Sequence, residues 1–173
     1  MKIRINDITE AGMSLDLAED GKVIEGLAGD LGFVFKTPVQ AHLDFTRFGA
    51  EIQLAGSMKA GIELVCSRCL QPFDHEIESD FHIFYTLGAE PEREKELTSA
   101  DIDVNYITGD ELDTSEILLA QLTLDVPVKP LCKEACLGLC LRCGADLNLG
   151  PCSCPVEEKH ESKFAKLKGF KVK

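Results

Sequence analysis

The chain has 173 residues, and its 30 acidic side chains outnumber its 18 Lys and Arg to give a formal net charge of −12. At about 150 residues per domain this length predicts one domain, or one domain with a small appendage. An apolar content of 45% excludes a wholly disordered chain. The sequence shows neither an apolar run of about 18 residues nor a signal-peptide block at its start, so we expect a cytoplasmic protein without membrane association.

The first half of the chain has the pattern of β-strands. Apolar and polar residues alternate over 39–45 and over 76–85, which is the period of strands with one buried face. We therefore predict antiparallel strands over 1–85, with turns or bulges at Gly49, Gly56 and Gly61. The glycines of 26–32 lie in a turn-rich stretch without the Lys and the Ser or Thr of a phosphate-binding loop, so no nucleotide site is predicted there.

The middle of the chain combines an acidic stretch with a helix. Residues 88–105 are polar and charged, which predicts an exposed loop, and Ile102, Val104 and Tyr106 predict one short further strand. A helix is predicted over 113–125, with Asp113 as its N-cap. Apolar residues occupy most sides of this helix, so it should be largely buried, and two prolines follow it directly.

These elements predict an α+β fold with three parts. Residues 1–130 form a β-rich domain, an antiparallel β-sheet or partial barrel with a buried helix. Residues 131–155 form a zinc-ribbon-like cysteine module. Residues 156–173 form a Lys-rich tail that either folds on contact with RNA or a partner or stays a solvated terminus. The candidate contacts in this tail are Lys163, Lys166 and Lys168.

Eight cysteines occur as four close pairs, in the motifs C-S-R-C, C-K-E-A-C, C-L-R-C and C-S-C. A reducing cytoplasm disfavours stable disulfides, whereas Zn²⁺ binds four thiolates at tetrahedral corners and each pair supplies half of such a site. Glycine at Gly144 permits the positive φ that turns backbone N–H groups towards the thiolates. We predict one or two structural zinc ions. Their ligands are Cys66, Cys69, Cys132, Cys136, Cys140, Cys143, Cys152 and Cys154.

The combination of the pairs stays open at the level of sequence. The favoured arrangement joins the last two pairs in a local site and the first two pairs in a long-range site. The main rival joins the second and third pairs. Spacing alone does not choose between these arrangements.

Other uses of the cysteines fit the pattern less well. A redox dithiol normally places one C-x-x-C at the start of a helix beside a βαβ unit, but Cys66 ends a strand-like run. An iron–sulfur cluster also takes four cysteines, although knuckle spacing suits a single ion better. Four thiolates leave no open position for catalysis. His42 and His82 fall on the polar faces of their strands, which predicts solvated side chains and not metal ligands.

Several cations flank the cysteine pairs. They are predicted either to offset the negative charge of thiolate-bound metal or to contact RNA or a partner. The four are Arg68, Lys129, Lys133 and Arg142.

The cysteine motifs resemble those of the YceD family, the large ribosomal RNA subunit accumulation proteins. C-S-R-C-L-Q-P-F at 66–73 resembles the family's C-x-R-C-L-x-x-F. C-L-G-L-C-L-R-C-G-A-D-L-N at 136–148 resembles C-x-G-L-C-P-x-C-G-x-[DN]-L-N, and C-S-C at 152–154 its closing C-x-C. Leu141 stands where many members have Pro and Leu137 where Lys is common, but neither position is a ligand.

The resemblance implies a non-catalytic role in ribosome biogenesis. The expected activity is support of the synthesis, processing or stability of 23S rRNA, without a small-molecule substrate. The expected partner is the large ribosomal subunit precursor, through 23S rRNA or a basic ribosomal protein. Relatives that lack the last two cysteine pairs keep the first pair with a Cys/His pair near Cys132, which favours the long-range site. Two alternatives stand beside this function, a zinc-stabilised protein-binding adaptor and a C-x-x-C redox protein.

Overall fold

The structure is a computed structural model, and it describes residues 1–29, 31–88 and 104–154. These parts of the chain form strands, two α-helices and one 3-10 turn. None of the helices in the described residues is long and apolar enough to cross a membrane. The elements in chain order are β1 (Lys2–Arg4), β2 (Met13–Glu19), α1 (Gly21–Ala28), β3 (Val34–Phe35), β4 (Val39–Phe48), β5 (Glu51–Val65), β6 (Pro72–Leu87), β7 (Val104–Ile107), β8 (Glu111–Asp113) and α2 (Thr114–Asp125).

A six-stranded sheet dominates the fold. Its strand order is β2-β4-β5-β6-β7, and β3 also pairs with β5. The strands β4, β5 and β6 follow one another as long antiparallel neighbours. A second, two-stranded sheet pairs β1 with β8 and so brings the start of the chain beside the start of α2. The predicted α+β class is confirmed.

The predicted topology needs one correction. The main sheet is not purely antiparallel, because β7 pairs with β6 in parallel. Within the described residues the sheet is open, ending at β2 and β7, and does not close into a barrel. A parallel partner requires a connection longer than a hairpin turn, and the residues between β6 and β7 all belong to the predicted loop over 88–105. Most of this loop, 89–103 with Ile102, lies outside the described residues, while β7 is the predicted short strand.

Helix α1 contradicts the prediction that residues 1–85 contain strands and turns alone. The Asp20 side chain accepts a hydrogen bond of 3.0 Å from the backbone N–H of Lys22 and so caps the helix start. Ile24 is fully buried in the core, and Gly29 ends the helix with a φ of +73°. The helix escapes prediction because it is short and contains glycine, so the burial of one face outweighs its low helix propensity.

Helix α2 has the predicted bounds and cap. The Asp113 side chain accepts a hydrogen bond of 3.0 Å from the backbone N–H of Ser115. Ile117, Leu118 and Leu122 are buried in the main core, and the helix packs on α1 and on β6. The helix ends at Asp125, and the chain then runs towards the cysteine module.

Glycines shape the hairpins in two different ways. Gly49 has a φ of +63° in the turn between β4 and β5, as predicted. Gly56, by contrast, lies inside β5 and not in a turn. A Cβ there would stand 2.4 Å from Cζ of Phe81 on β6, so this position needs glycine to make room for a buried ring.

The outer face of the sheet is polar, as the alternation predicts. His42 and His82 are both exposed on this face. Nδ1 of His42 lies 2.7 Å from Oδ1 of Asp16, and Nε2 lies 3.2 Å from Oδ2 of Asp44. These carboxylates raise the pKa of His42, Asp16 through its hydrogen bond and Asp44 through its charge. The histidine therefore belongs to a surface network and not to a metal site.

Two leucines of α2 test this packing. Leu118 is fully buried, whereas Leu124 on the same helix is 77% exposed. We expect Leu118→Ala to lower the free energy of unfolding by about 2–5 kcal/mol, because it removes buried methyl groups and leaves a cavity. The matched control Leu124→Ala should change it by less than about 0.5 kcal/mol. Urea unfolding followed by circular dichroism measures both, and equal losses would contradict this arrangement of the helix.

Candidate metal centre

The first cysteine cluster, site A, lies where the tip of the β5–β6 hairpin meets the chain that leaves α2. Its sulfurs belong to Cys66, Cys69, Cys132 and Cys136 and all lie within 4.8 Å of one another. The Sγ atoms of Cys66 and Cys136 are 3.8 Å apart, as are those of Cys69 and Cys132. A tetrahedral ion with Zn–S bonds of about 2.3 Å places its sulfurs about 3.8 Å apart. Site A could therefore hold one ion of that size.

The second cluster, site B, is local in sequence. Cys140, Cys143, Cys152 and Cys154 bring their sulfurs within 4.8 Å of one another, and the Sγ atoms of Cys140 and Cys152 are 3.4 Å apart. All eight cysteines are free thiols, since a disulfide requires an S–S bond of about 2.05 Å. The structure thus brings the pairs together in the combination favoured from sequence, and not in the rival one.

The two C-x-x-C loops share one backbone hydrogen-bond pattern. In site A the N–H of Cys66 donates to the carbonyl of Gln71 at 3.0 Å, and Cys66 accepts from the N–H of Leu70 at 2.9 Å. In site B the corresponding bonds run from Cys140 to Ala145 at 2.8 Å and from Gly144 to Cys140 at 2.9 Å. The first cysteine of each loop is therefore held by the same pair of bonds.

This pattern requires a left-handed residue after the second cysteine of each loop. Gly144 has a φ of +72°, as predicted, and Leu70 has a φ of +58°. Leu70 is the only non-glycine residue with positive φ in the described parts of the chain. A branched side chain in this conformation is strained, so the loop geometry around site A is imposed by its surroundings and not chosen by Leu70 itself.

Backbone N–H groups favour the ionised form of one thiol in each site. The N–H groups of Cys132, Cys69 and Arg68 lower the pKa of Cys66 to about 6. Those of Cys143 and Arg142 lower the pKa of Cys140 to about 6. Such oriented dipoles are the usual support for metal-bound thiolates.

Other thiols of the same clusters resist ionisation. Burial and the neighbouring sulfurs raise the pKa of Cys132 to about 12. The sulfur of Cys143 and burial raise the pKa of Cys154 to about 12. Neighbouring thiolates repel one another, so four of them in either cluster call for a balancing cation, and a divalent metal ion would supply that charge.

Arg68 joins the two halves of site A. Its Nη1 donates to the carbonyls of Glu134 at 3.2 Å and Cys136 at 2.9 Å. On the same side the N–H of Ser67 donates to the carbonyl of Pro130 at 2.8 Å. The guanidinium, predicted as a contact or charge-compensating group, thus has a structural role between the hairpin tip and the second cysteine pair.

Asn148 connects the two sites, and sequence reasoning missed it. Its Nδ2 donates to Sγ of Cys136 at 3.4 Å, and its Oδ1 accepts from the N–H of Leu137 at 2.9 Å. It lies between the two cysteine pairs of site B, yet it contacts a sulfur of site A. Its place at the end of the 136–148 motif was the available signal, but no spacing rule links an asparagine to a sulfur 12 positions earlier.

The described candidate cations surround this region. Arg68, Lys129, Lys133 and Arg142 are all exposed, so their contact with RNA or a partner stays a prediction. The tail candidates Lys163, Lys166 and Lys168 lie outside the described residues.

A family model matches the part of the chain that contains both cysteine clusters and the later strands of the main sheet. The model of the large ribosomal RNA subunit accumulation protein YceD matches residues 54–171, which is more than half of the chain. The chain belongs to the YceD family. The match begins inside β5, at residue 54, and covers β6, α2 and all eight cysteines.

Two curated YceD relatives come from plants. The large ribosomal RNA subunit accumulation protein YCED homolog 1, chloroplastic, of Arabidopsis thaliana is 29% identical over 71% of this chain and 46% of its own length. The protein of the same name from Zea mays is 28% identical over 83% of this chain and 58% of its own length. The chain thus spans about half the length of these relatives. No solved structure matches it.

A serine in site B tests the number of metal sites. We expect Cys140→Ser to reduce bound metal from two equivalents to one, because it removes one of the four thiolates of a single cluster. Ser153→Ala, in the exposed position between the last two cysteines, is the control and should retain both. Metal analysis of purified protein measures the content. Unchanged metal in Cys140→Ser would contradict the assignment of site B.

Asn148→Ala tests the link between the sites. Loss of the bond to the Cys136 sulfur should weaken the affinity of site A by about 10- to 100-fold, the usual effect of removing a group that supports a metal ligand. Leu149→Ala, at the neighbouring exposed residue, should leave the affinity unchanged. Chelator competition on the cadmium-substituted protein, followed by cadmium NMR with one signal per site, separates the two affinities. Weakening of site B alone would contradict the link.

Proposed function

We propose that this YceD protein is a non-catalytic ribosome biogenesis factor that supports the synthesis, processing or stability of 23S rRNA, with one structural zinc ion in each cysteine cluster. The family match over 54–171 supports the ribosomal role, together with the names of the plant relatives. The observation that carries the zinc is the sulfur spacing of 3.8 Å across site A, which suits a single tetrahedral ion.

The chemistry of the clusters favours zinc over an iron–sulfur cluster. In a multi-iron cluster the four cysteines are divided among two or more irons, so their sulfurs stand outside a bulky inorganic core. Sulfurs that all lie within 4.8 Å of one another leave room for one ion only. Zinc needs no redox chemistry and accepts four thiolates in tetrahedral geometry, so it fits these donors directly.

The same donors argue for a structural role. Four thiolates complete the coordination shell, which leaves no position for water or substrate. Site A also joins elements that are 63 or more residues apart in the chain. The ion would therefore fix the hairpin tip to the chain after α2, much as a long-range disulfide would in an oxidising compartment.

The redox alternative has less support. Cys66 and Cys69 are both buried, and each faces a sulfur of the second pair and not solvent. A thiol that exchanges with disulfides needs access to its partner. The cysteines of site A thus suit a closed metal shell better than an exposed C-x-x-C redox centre.

We place the protein in the cytoplasm, with the large ribosomal subunit precursor as its partner through 23S rRNA or a basic ribosomal protein. A net charge of −12 suits a basic protein surface, and the exposed cations near the clusters offer a local surface for RNA. A negative net charge would equally suit an adaptor that binds only protein. The test of function must therefore measure the amount of 23S rRNA.

Depletion of the protein tests the function. We expect the ratio of 23S to 16S rRNA to fall on depletion, and the wild-type gene to restore it. A Cys66→Ser/Cys140→Ser gene should fail to restore it, because both clusters lose a thiolate, while the Ser153→Ala gene should succeed. An unchanged ratio after depletion would contradict the rRNA role. Full rescue by the double cysteine variant would contradict the part played by metal.

A further inference from the structure

The outer edge of β6 is a long strand edge without a partner among the described residues. β6 runs from Pro72 to Leu87, and β7 pairs only with its last residues, from Phe84 onwards. The pairing of β6 with β5 continues without a bulge from Val65–Pro72 to Glu51–Thr86. Unpaired N–H and C=O groups on such an edge form a template for another strand.

The phase of the ladder shows which residues present their backbone at this edge. Antiparallel pairs alternate between hydrogen-bonded and non-hydrogen-bonded ones. The bond from the N–H of Cys66 to the carbonyl of Gln71 makes the pair at the hairpin tip a bonded one. Counting from that pair along the register, the non-bonded positions of β6 before its pairing with β7 are Pro72, Asp74, Glu76, Glu78, Asp80 and His82.

Two independent features confirm this phase. Gly61 on β5 pairs with Glu76. Its N–H donates to Oγ1 of Thr37, and its carbonyl accepts from the N–H groups of Lys36 and Thr37. The backbone groups of Gly61 therefore point away from β6, as expected for a non-bonded pair. Pro72 is also at a non-bonded position of the ladder, where an N–H would point away from β5. Proline has no N–H, so its presence there costs no hydrogen bond to β5.

Four consecutive edge-facing positions carry acidic side chains. Asp74, Glu76, Glu78 and Asp80 are all exposed, and they lie on the polar face of the sheet at alternate positions. Nζ of Lys59 on β5 lies 3.8 Å from Oε2 of Glu76. Both side chains are exposed, so this ion pair contributes little to stability. The intervening residues Ile77 and Phe81 point to the core face and are buried. One strand edge thus carries a row of carboxylates in register, beside backbone groups that have no strand partner among the described residues.

We propose that this edge of β6 binds an extended cationic segment of a partner protein as an added strand, in which Lys or Arg alternates with apolar residues. This deepens the proposed function, on which it rests for the class of partner, by naming a docking site for a basic protein. The backbone bonds supply affinity, and the lysines of the added strand lie opposite the carboxylates, where opposite charges stabilise a strand pair.

Charge disfavours two other occupants of the edge, a second copy of the chain and RNA. A second copy pairing through the same edge would set carboxylates against carboxylates, which destabilises a strand pair. RNA would bring its phosphates to the same row and be repelled. A cationic strand is the occupant that satisfies both the backbone and the side chains.

The test uses the full-length, metal-loaded protein and a synthetic ten-residue peptide of alternating Lys and Val. We expect this peptide to bind, and a Glu–Val peptide and a Lys–Val peptide with N-methylated backbone not to bind. Amide hydrogen exchange should slow at Glu76 and Glu78 on binding, while His75 and Ile77, whose N–H groups already face β5, should not change. Exchange that is already slow at Glu76 and Glu78 in the free protein would overturn the proposal, because the edge would then be occupied.

A charge-reversal pair completes the test. Glu76→Lys/Glu78→Lys should weaken peptide binding about tenfold at low salt, because two favourable cross-strand pairs become repulsive. Glu10→Lys/Glu51→Lys makes the same change in net charge at exposed residues away from the edge and should leave binding unchanged. Equal weakening in both variants would show general charge attraction and overturn the proposal. Concentration-dependent dimerisation through these amides, or RNA that protects them, would assign the edge to another occupant and also overturn it.

Discussion

The convergence of four sulfurs at site A is the constraint on which the rest of the structure depends. Without it, the tip of the longest hairpin and the chain after α2 would be joined only by a few hydrogen bonds, such as that from Ser67 to Pro130. With it, a 15-residue strand, its partner and the cysteine module become one unit. The apolar core ends near Leu64 and Phe73. The hairpin tip beyond these residues is therefore held mainly by the cysteines of site A.

The two clusters are not equivalent in the fold. Site A is enclosed between β5, β6 and the second cysteine pair, and three of its four cysteines are buried. Site B is local and more open, and Cys143 is exposed. Asn148 makes site A depend on site B, since the loop that the last two pairs enclose delivers an amide to the Cys136 sulfur. Metal in the local site would therefore preorganise support for the long-range site.

Sequence patterns predict those parts of this protein that local chemistry decides. The alternation over 39–45 and 76–85, the cap at Asp113 and the positive φ of Gly144 follow from residue type and spacing. The parts that tertiary contacts decide could not be predicted in this way. Helix α1 depends on the burial of Ile24, the place of β7 depends on its parallel pairing with β6, and Gly56 depends on the ring of Phe81 on the next strand.

The same division holds for the candidate site. Paired cysteines predict a metal, but the choice between three combinations of pairs is a question of distance in the fold. Asn148 is recognisable only when Cys136 is seen beside it, and the role of Arg68 only when the carbonyl of Cys136 is seen 2.9 Å from its guanidinium. The sequence gives the number of acidic residues. That four of them lie at edge-facing positions of β6 can be seen only from the register of β6 with β5.

The central claim, that single ions bind these sulfurs, can be tested directly by X-ray absorption at the zinc edge on the purified protein. The account predicts zinc at about two equivalents per chain, with four sulfur neighbours at about 2.3 Å and no nitrogen or oxygen in the shell. Absence of zinc, or a shell with oxygen, nitrogen or a second metal at short distance, would contradict it.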